Sequence, residues 1–397
     1  MAMKESGIEW VGLIPDDWKI AKNNRLFNIS KQLVNENWKN TQLLSLTKSG
    51  IIEKNINDGG GKQPESFGTY QYVEKDDIVL CLFDIDVSAV FSDRSKYDGM
   101  ISPAYRVMKC TDAILPVYAK WWFDAVNIGR YYLIYTKSLR KTIDADGFGN
   151  ILTVVPPLSE QQAIADYLDE TCSKIDEIIA EAKASIDEYK GLKQSVIFEA
   201  VTKGLDKNVE MKGSGSYWVG DIPLTWSTIK TKYVIKIENG SDPSTEGDTP
   251  VYGSGANSFK TCGEYKVGPT VLLGRKGATL HIPHYIEGKY WNVDTAFNTT
   301  PIEKRINLKY FYYVAFCFDY TRYISQTTLP GMTQTSYRNI YIPYPPMNVQ
   351  NRIVLWLDNK IDELDSLIAE KESLINDLEA YKKSLIYEVV TGKRRVV

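Results

Sequence analysis

Two stretches of 47 residues, Pro156 to Thr202 and Pro345 to Thr391, align without a gap at an offset of 189, with 17 positions identical. Neither holds a proline beyond its opening pair. Within the first, Leu168, Cys172, Ile175, Ile179, Ala182, Ile186, Tyr189, Lys193, Val196 and Ala200 advance by alternating steps of four and three. Leu357, Ile361, Leu364, Ile368, Lys371, Ile375, Leu378, Lys382, Leu385 and Val389 do the same in the second. That stepping is the seam of a coiled coil. It predicts two helices of about 44 residues, each roughly 66 Å long at 1.5 Å per residue. Such a helix cannot be buried in a small domain, so its seam needs a partner, and the other copy is the one at hand. Folding back around an intervening domain pairs the two seams antiparallel. Lys193 and Lys382 then serve either as polar register markers or as solvated stems at the seam edge.

A second repeat extends the first. "WVGLIPDDW" (Trp10 to Trp18) returns as "WVGDIPLTW" (Trp218 to Trp226), and "VLCLFDIDVSAVFSDRSKYDGMISPAY" from Val79 lies on "VLLGRKGATLHIPHYIEGKYWNVDTAF" from Val271. The frame is repeated while its contents diverge. Between anchors, the short β-rich runs "DDIVLCLF", "AYRVMKC", "PTVLLG" and "NIYIPYP" alternate with turn residues, and "VYAKWWFDAV" and "KYFYYVAFCF" read as helical. The expected class is α+β: two mixed α/β domains joined by two long helices, in a pseudo-two-fold internal duplication. The expected boundaries are 1–155 for the first domain, 156–202 for its helix, 203–216 for a linker, 217–344 for the second domain and 345–391 for its helix. Each tryptophan phrase reads as a structural joint, with Trp10 and Trp218 packing against a helix end.

Composition narrows the class. The 397 residues are 43% hydrophobic and 24% charged, and no apolar run approaches the roughly 18 residues of a membrane span. "MAMKESGIEW" has no apolar core of a leader peptide, and the five cysteines form no C-x-x-C pair, as expected of free thiols in the cytoplasm. Residues 213–342 carry 13 basic against 10 acidic groups, while 154–212 carry 7 against 12. A net charge of −3 therefore does not exclude a polyanion partner.

No catalytic motif emerges. "DGGGKQ" (Asp58 to Gln63) lacks the spacing and hydroxyl of a phosphate-binding loop and reads as a flexible turn. The prolines of Pro156-Pro157 and Pro345-Pro346 follow Val155 and Tyr344, not the acidic Asn-Pro-Pro-aromatic pattern of amino-methyltransferases. His281 and His284 are the only histidines and have no Cys or carboxylate at ligand spacing. No metal, cofactor or catalytic residue is expected.

The architecture resembles the specificity subunit of type I restriction-modification systems. The resemblance is carried by Trp10 to Trp18, Asn150-Ile151, Pro156-Pro157, Glu160-Gln161, Ile164 and Leu168-Asp169. In the second copy it is carried by Trp218 to Trp226, Asn339-Ile340, Pro345-Pro346, Gln350, Ile353 and Leu357-Asp358. Val349 departs from the pattern where the first copy has Glu160. The resemblance implies two target-recognition domains, each reading one half of a split double-stranded DNA sequence. It implies helices that fix half-site spacing and dock two methyltransferase subunits, with endonuclease/translocase subunits joining. It also implies a subunit that is no enzyme by itself. The rival readings are a coiled-coil scaffold with protein-binding ends and an enzyme acting alone.

Candidate DNA contacts follow from chemistry at turns. The aligned loops hold "GRKG" (Gly274 to Gly277) in one copy and "FDID" (Phe83 to Asp86) in the other. Arg275 and Lys276 can donate to guanine or neutralise phosphate, while Asp84 and Asp86 can accept from cytosine. Arg94, Lys96, Arg140, Lys141, Lys260, Gln334, Tyr337 and Arg338 complete the set.

Overall fold

The computed structural model describes residues 2–56, 66–88, 91–136, 140–255, 257–324 and 330–396. The Asp58 to Gln63 turn lies outside the described residues. Seven α-helices are described: α1 (Asn23–Leu26), α2 (Pro116–Ile128), α3 (Ala145–Asn150), α4 (Leu158–Lys203), α5 (Leu308–Phe316), α6 (Gln334–Asn339) and α7 (Met347–Val390). The repeated seams are α4 and α7, of 46 and 44 residues. Among the described residues no helix is long and apolar enough to cross a membrane.

The chain divides into two compact units, Met1–Ala182 with Ser373–Val397, and Lys183–Glu372. Each takes the first part of one long helix and the last part of the other. In the first unit Lys382 Nζ on α7 donates to both carboxylate oxygens of Asp176 on α4 at 2.6 Å. In the second, Lys193 Nζ on α4 donates to both oxygens of Asp365 on α7 at 2.7 Å. The 189-residue offset converts one pair into the other, and a rising number on α4 meets a falling one on α7, which is antiparallel pairing. The lysines are register markers, not idle stems. Their carboxylate partners are half exposed, so each pair contributes about 0.2–1 kcal/mol. Lys382→Ala should lower the first unit's unfolding temperature slightly in dilute buffer, and about 1 M salt should remove most of the difference. A loss unchanged by salt would assign Lys382 to packing instead.

The globular parts share one topology. In the first copy a sheet runs, in spatial order, Phe27–Ile29, Arg106–Cys110, Ile78–Leu80, Ser92–Arg94, all antiparallel. Its second sheet runs Gly50–Lys54, Leu43–Thr47, Gly99–Ile101, Gln71–Val73, with the middle pair parallel. In the second copy the first sheet is Ile235–Asn239, Ala296–Pro301, Thr270–Gly274, His284–Ile286. The other is Lys260–Cys262, Thr249–Tyr252, Lys289–Asn292, Lys266–Val267, again with the middle pair parallel. The duplication is therefore structural as well as sequential. Met211–Gly213, within the segment expected as linker, pairs with Asp221–Pro223 as Met3–Glu5 pairs with Leu13–Pro15. The repeat thus begins before its tryptophan phrase.

Buried polar side chains of the Pro-Pro-x-x-x-Gln passage seat each domain on its helix. Gln161 is fully buried; its Oε1 accepts from Leu115 N at 2.7 Å, and its Nε2 donates to Ala113 O and Pro156 O. Gln350 likewise accepts from Asn307 N at 2.8 Å and donates to Pro345 O. About two turns further, Asp169 accepts from Trp121 Nε1 at 2.9 Å, and Asp358 accepts from Tyr313 OH and Lys309 Nζ. These contacts hold the start of α2 on α4 and of α5 on α7, satisfying donors at the helix starts that have no intrahelical partner.

The tryptophan phrases close the same units from the other side. Trp18 is 1% exposed, donates from Nε1 to Glu160 at 3.0 Å, and lies over Gly392 just past α7. Trp226 lies over Gly204 just past α4. Both glycines have positive φ, +72° and +80°, the left-handed residue that ends a helix without a Cβ penalty. Trp10 stacks on Tyr131 at 4.1 Å and approaches Tyr387 of α7 at 6.4 Å. Trp218 instead meets Phe318 and donates to Tyr341 O. Trp10 thus meets the last turn of α7, where Tyr387 OH also donates to Trp10 O at 3.0 Å, and in both copies the second tryptophan adds a contact over the glycine just past a long helix. Val349 has a local cause. Where Glu160 receives Trp18 and Arg395, Val349 joins Leu205 in the apolar packing of the second unit.

Candidate nucleic-acid interface

In both copies the loop after the third strand of the first sheet is tied to the segment that precedes a short helix. In the first unit Ile143 N donates to Leu82 O at 2.9 Å, Asp84 N to Arg140 O at 2.9 Å, and Ile85 N to Lys141 O at 3.4 Å. In the second, Met332 N donates to Arg275 O at 2.9 Å and Gly277 N to Pro330 O at 3.0 Å. The "FDID" loop with Arg140 and Lys141, and the "GRKG" loop with the start of α6, are thus one site in two versions. Asp144 caps α3 and Thr333 caps α6, each accepting from a backbone N–H of the first turn, which fixes the tied segment to a helix start.

Glycine is required in the second version. A Cβ on Gly274 would meet Leu280 Cα at 2.3 Å, and Gly277 has φ +108°. Arg275 and Lys276 therefore leave the sheet on a tight, fixed turn. Arg275 donates to Asp294 O at 3.2 Å, and both cations lie 3.8 Å from the Asp294 carboxylate. That separation is loose and about half exposed, leaving the positive charge available to a polyanion. In the first version Asp84 is committed: Arg140 donates to it at 3.0 Å, and that hydrogen bond holds the guanidinium above its usual pKa. Arg140 is the exposed member, at 77%, while Asp86 and Lys141 are exposed.

The remaining candidates scatter. Arg94 pairs with Asp76 at 3.3 Å, and Arg94 and Lys96 line a cavity of about 260 Å³ with Lys120 and Asp169, on the side facing α2 and α4. Lys260 is exposed on the other sheet, 5.7 Å from the Phe259 ring centre. Gln334 donates to Ile237 O, and Arg338 is exposed at the end of α6. Tyr337 is a correction. It is fully buried, its hydroxyl donates to Gly274 O at 2.7 Å, and burial pushes its pKa up. It supports the glycine turn from beneath and cannot reach a base. Sequence reasoning missed Asp294 and also Arg130, which donates to Ile85 O at 2.7 Å and braces the first loop. Neither lies in a recognisable motif.

His284 is half-buried against Tyr252, and burial lowers its pKa. Among the described residues no cluster of His, Cys, Asp and Glu could hold a metal ion.

Comparisons with known proteins give this site its context. Residues 223–377 match the type I restriction modification DNA specificity domain. The chain is similar to the type I restriction enzyme MjaVIII specificity subunit of Methanocaldococcus jannaschii, 29% identical over 122 residues. That match covers 28% of this chain and 27% of the relative, about a quarter of its length. In fold, the chain is similar to a chain from a study of complex assembly and conformational transition in the type I restriction-modification system, at TM-score 0.75 and 14% identity, covering 96% and 99% of the two chains. It is also similar to the HsdS subunit from Thermoanaerobacter tengcongensis, at TM-score 0.55 and 14% identity, covering 96% and 98%. Residues 223–377 are thus similar to the type I restriction modification DNA specificity domain, and over nearly its whole length the chain shares the fold of the HsdS subunit from Thermoanaerobacter tengcongensis.

Proposed function

We infer that this chain is the sequence-reading, non-catalytic subunit of a type I restriction-modification complex. Each copy reads one half of a bipartite site in double-stranded DNA. The two long helices set the distance between half-sites and dock two methyltransferase subunits, with endonuclease/translocase subunits joining the assembly in the cytoplasm. One observation carries the reading: a single scaffold, tied by equivalent backbone hydrogen bonds, presents an Asp-Arg pair in one copy and an Arg-Lys turn in the other. Two readers of different half-sites need common support and different donors and acceptors at the tip. A protein-binding scaffold has no such need.

The test is a map of N6-methyladenine across the host genome, with the gene intact and deleted. A two-part motif with an unspecified gap should be methylated in the first and absent in the second. Identical maps would defeat the reading and favour the scaffold.

A further inference from the structure

The first unit contains a second polar site that the loop candidates do not include. Between its two sheets and α3 lies a cleft of about 540 Å³, lined among others by Asn24, Asn28, Lys31, Gln71, Arg106 and Asp146. Its floor is fixed. Gln71 is 6% exposed, with Nε2 donating to Tyr105 O at 3.0 Å and Ser102 O at 3.4 Å. Its rim is free. Arg106, Asn28 and Lys31 are exposed, and among the described residues none has a side-chain hydrogen bond or ion pair.

The chemistry of the rim is mixed. A site for phosphate alone would be uniformly cationic, because phosphate offers only acceptors. Here a guanidinium and an amine stand beside two amides, which both donate and accept, and a carboxylate, which repels phosphate. That pattern matches the edges of bases, where donors and acceptors alternate: arginine pairs with guanine O6 and N7, asparagine with adenine N6 and N7, aspartate with cytosine N4.

The second copy uses the same positions otherwise. The 189-residue offset carries Ala145 to Gln334, which reaches across to Ile237 O. The 192-residue offset carries Arg106 to Asn298, whose Oδ1 is taken by Lys266 Nζ at 2.8 Å. Arg106, free in the first copy, is thus replaced in the second by a side chain already engaged internally.

We propose that this cleft reads base edges of the half-site assigned to the first copy, with Arg106 and Asn28 as the base contacts and Lys31 on a flanking phosphate. The proposal rests on the DNA-reading function above and adds to it a site of different residues from the tied loops.

The experiment uses the full chain in its host and in the complex purified from that host. Arg106→Ala and Asn28→Ala are introduced singly, and binding is measured on the mapped site and on duplexes changed one base pair at a time. Each variant should bind the mapped site about 5- to 100-fold more weakly, lose discrimination at one position of one half, and keep the wild-type salt dependence. Uniform weakening across all sequences with a shallower salt slope would make the side chains phosphate contacts and overturn the proposal. So would unchanged discrimination at every position while the wild type still methylates a bipartite motif. If the wild type itself methylates no such motif, the failure is that of the DNA-reading function, and the cleft assignment falls with it.

Discussion

Replacing Trp18 with alanine should destabilise the first unit by about 3–5 kcal/mol, the usual cost of deleting a buried tryptophan side chain. The indole is 1% exposed and sits where three chain segments meet. It covers Gly392 at the end of α7, and its Nε1 donates to Glu160 on the first turn of α4. Arg395 then bridges Glu160 at 2.7 Å and Asp17 at 2.9 Å, while Lys393 Nζ donates to Val11 O at 2.5 Å. Removal of the ring leaves a cavity beneath the left-handed turn and takes a donor from Glu160. For a unit of about 200 residues the unfolding temperature should fall by on the order of 10 °C. Trypsin, which cuts after Lys393, Arg394 and Arg395 once they leave the body, should nick the variant much faster than the wild type. Trp18→Phe, keeping most of the packing but not the N–H, should fall between. Unchanged melting and unchanged protection in Trp18→Ala would mean that α7 is held by its seam alone.

Much of this frame was legible because its signals are local. Prolines at Pro156 and Pro345, steps of four and three, and tryptophan phrases each report on a few neighbouring residues, and they located α4, α7 and the joints. The same locality explains what was not legible. Asp84 looks free in sequence, yet its partner Arg140 stands 56 residues away. Tyr337 looks like one polar aromatic in a polar cluster. Its hydroxyl partner is Gly274 O, 63 residues earlier, so its burial beneath the turn is not visible in its own neighbourhood. Gln161 and Gln350 were read only as parts of a pattern. Their role as buried brackets depends on where α2 and α5 arrive, and no periodicity reports that. The strand at Met211–Gly213 was hidden because three residues in a Gly-Ser-rich stretch carry no alternation to detect. Loop geometry is a matter of which distant groups meet, so the candidate interface was the least visible part of the chain.

Exchanging residues 213–342 for the equivalent segment of a relative with another target should change one half of the methylated motif and leave the other half and the gap intact. The exchange spares both long helices, so its success depends on how the segment seats on the parts retained. Five side chains within it contribute to that seat: Trp226 over Gly204, Tyr310 donating to Val201 O at 3.1 Å, Lys309 and Tyr313 on Asp358, and Asn307 Nδ2 donating to Asn351 at 2.8 Å. A further contact, Asn307 N to Gln350, comes from the backbone and survives any residue but proline. Grafts that keep those five positions should yield the new half-motif at full methylation. A graft that also carries Lys309→Ala and Tyr313→Phe leaves the partly exposed Asp358 carboxylate without either partner, a loss of about 1–3 kcal/mol. That graft should lower methylation at every site without altering which sites are chosen, because it unseats the reader and leaves its loops unchanged. The two outcomes separate recognition from support in one genome-wide measurement. A graft with an intact seat that alters both halves, or neither, would show that half-sites are not assigned one to each copy.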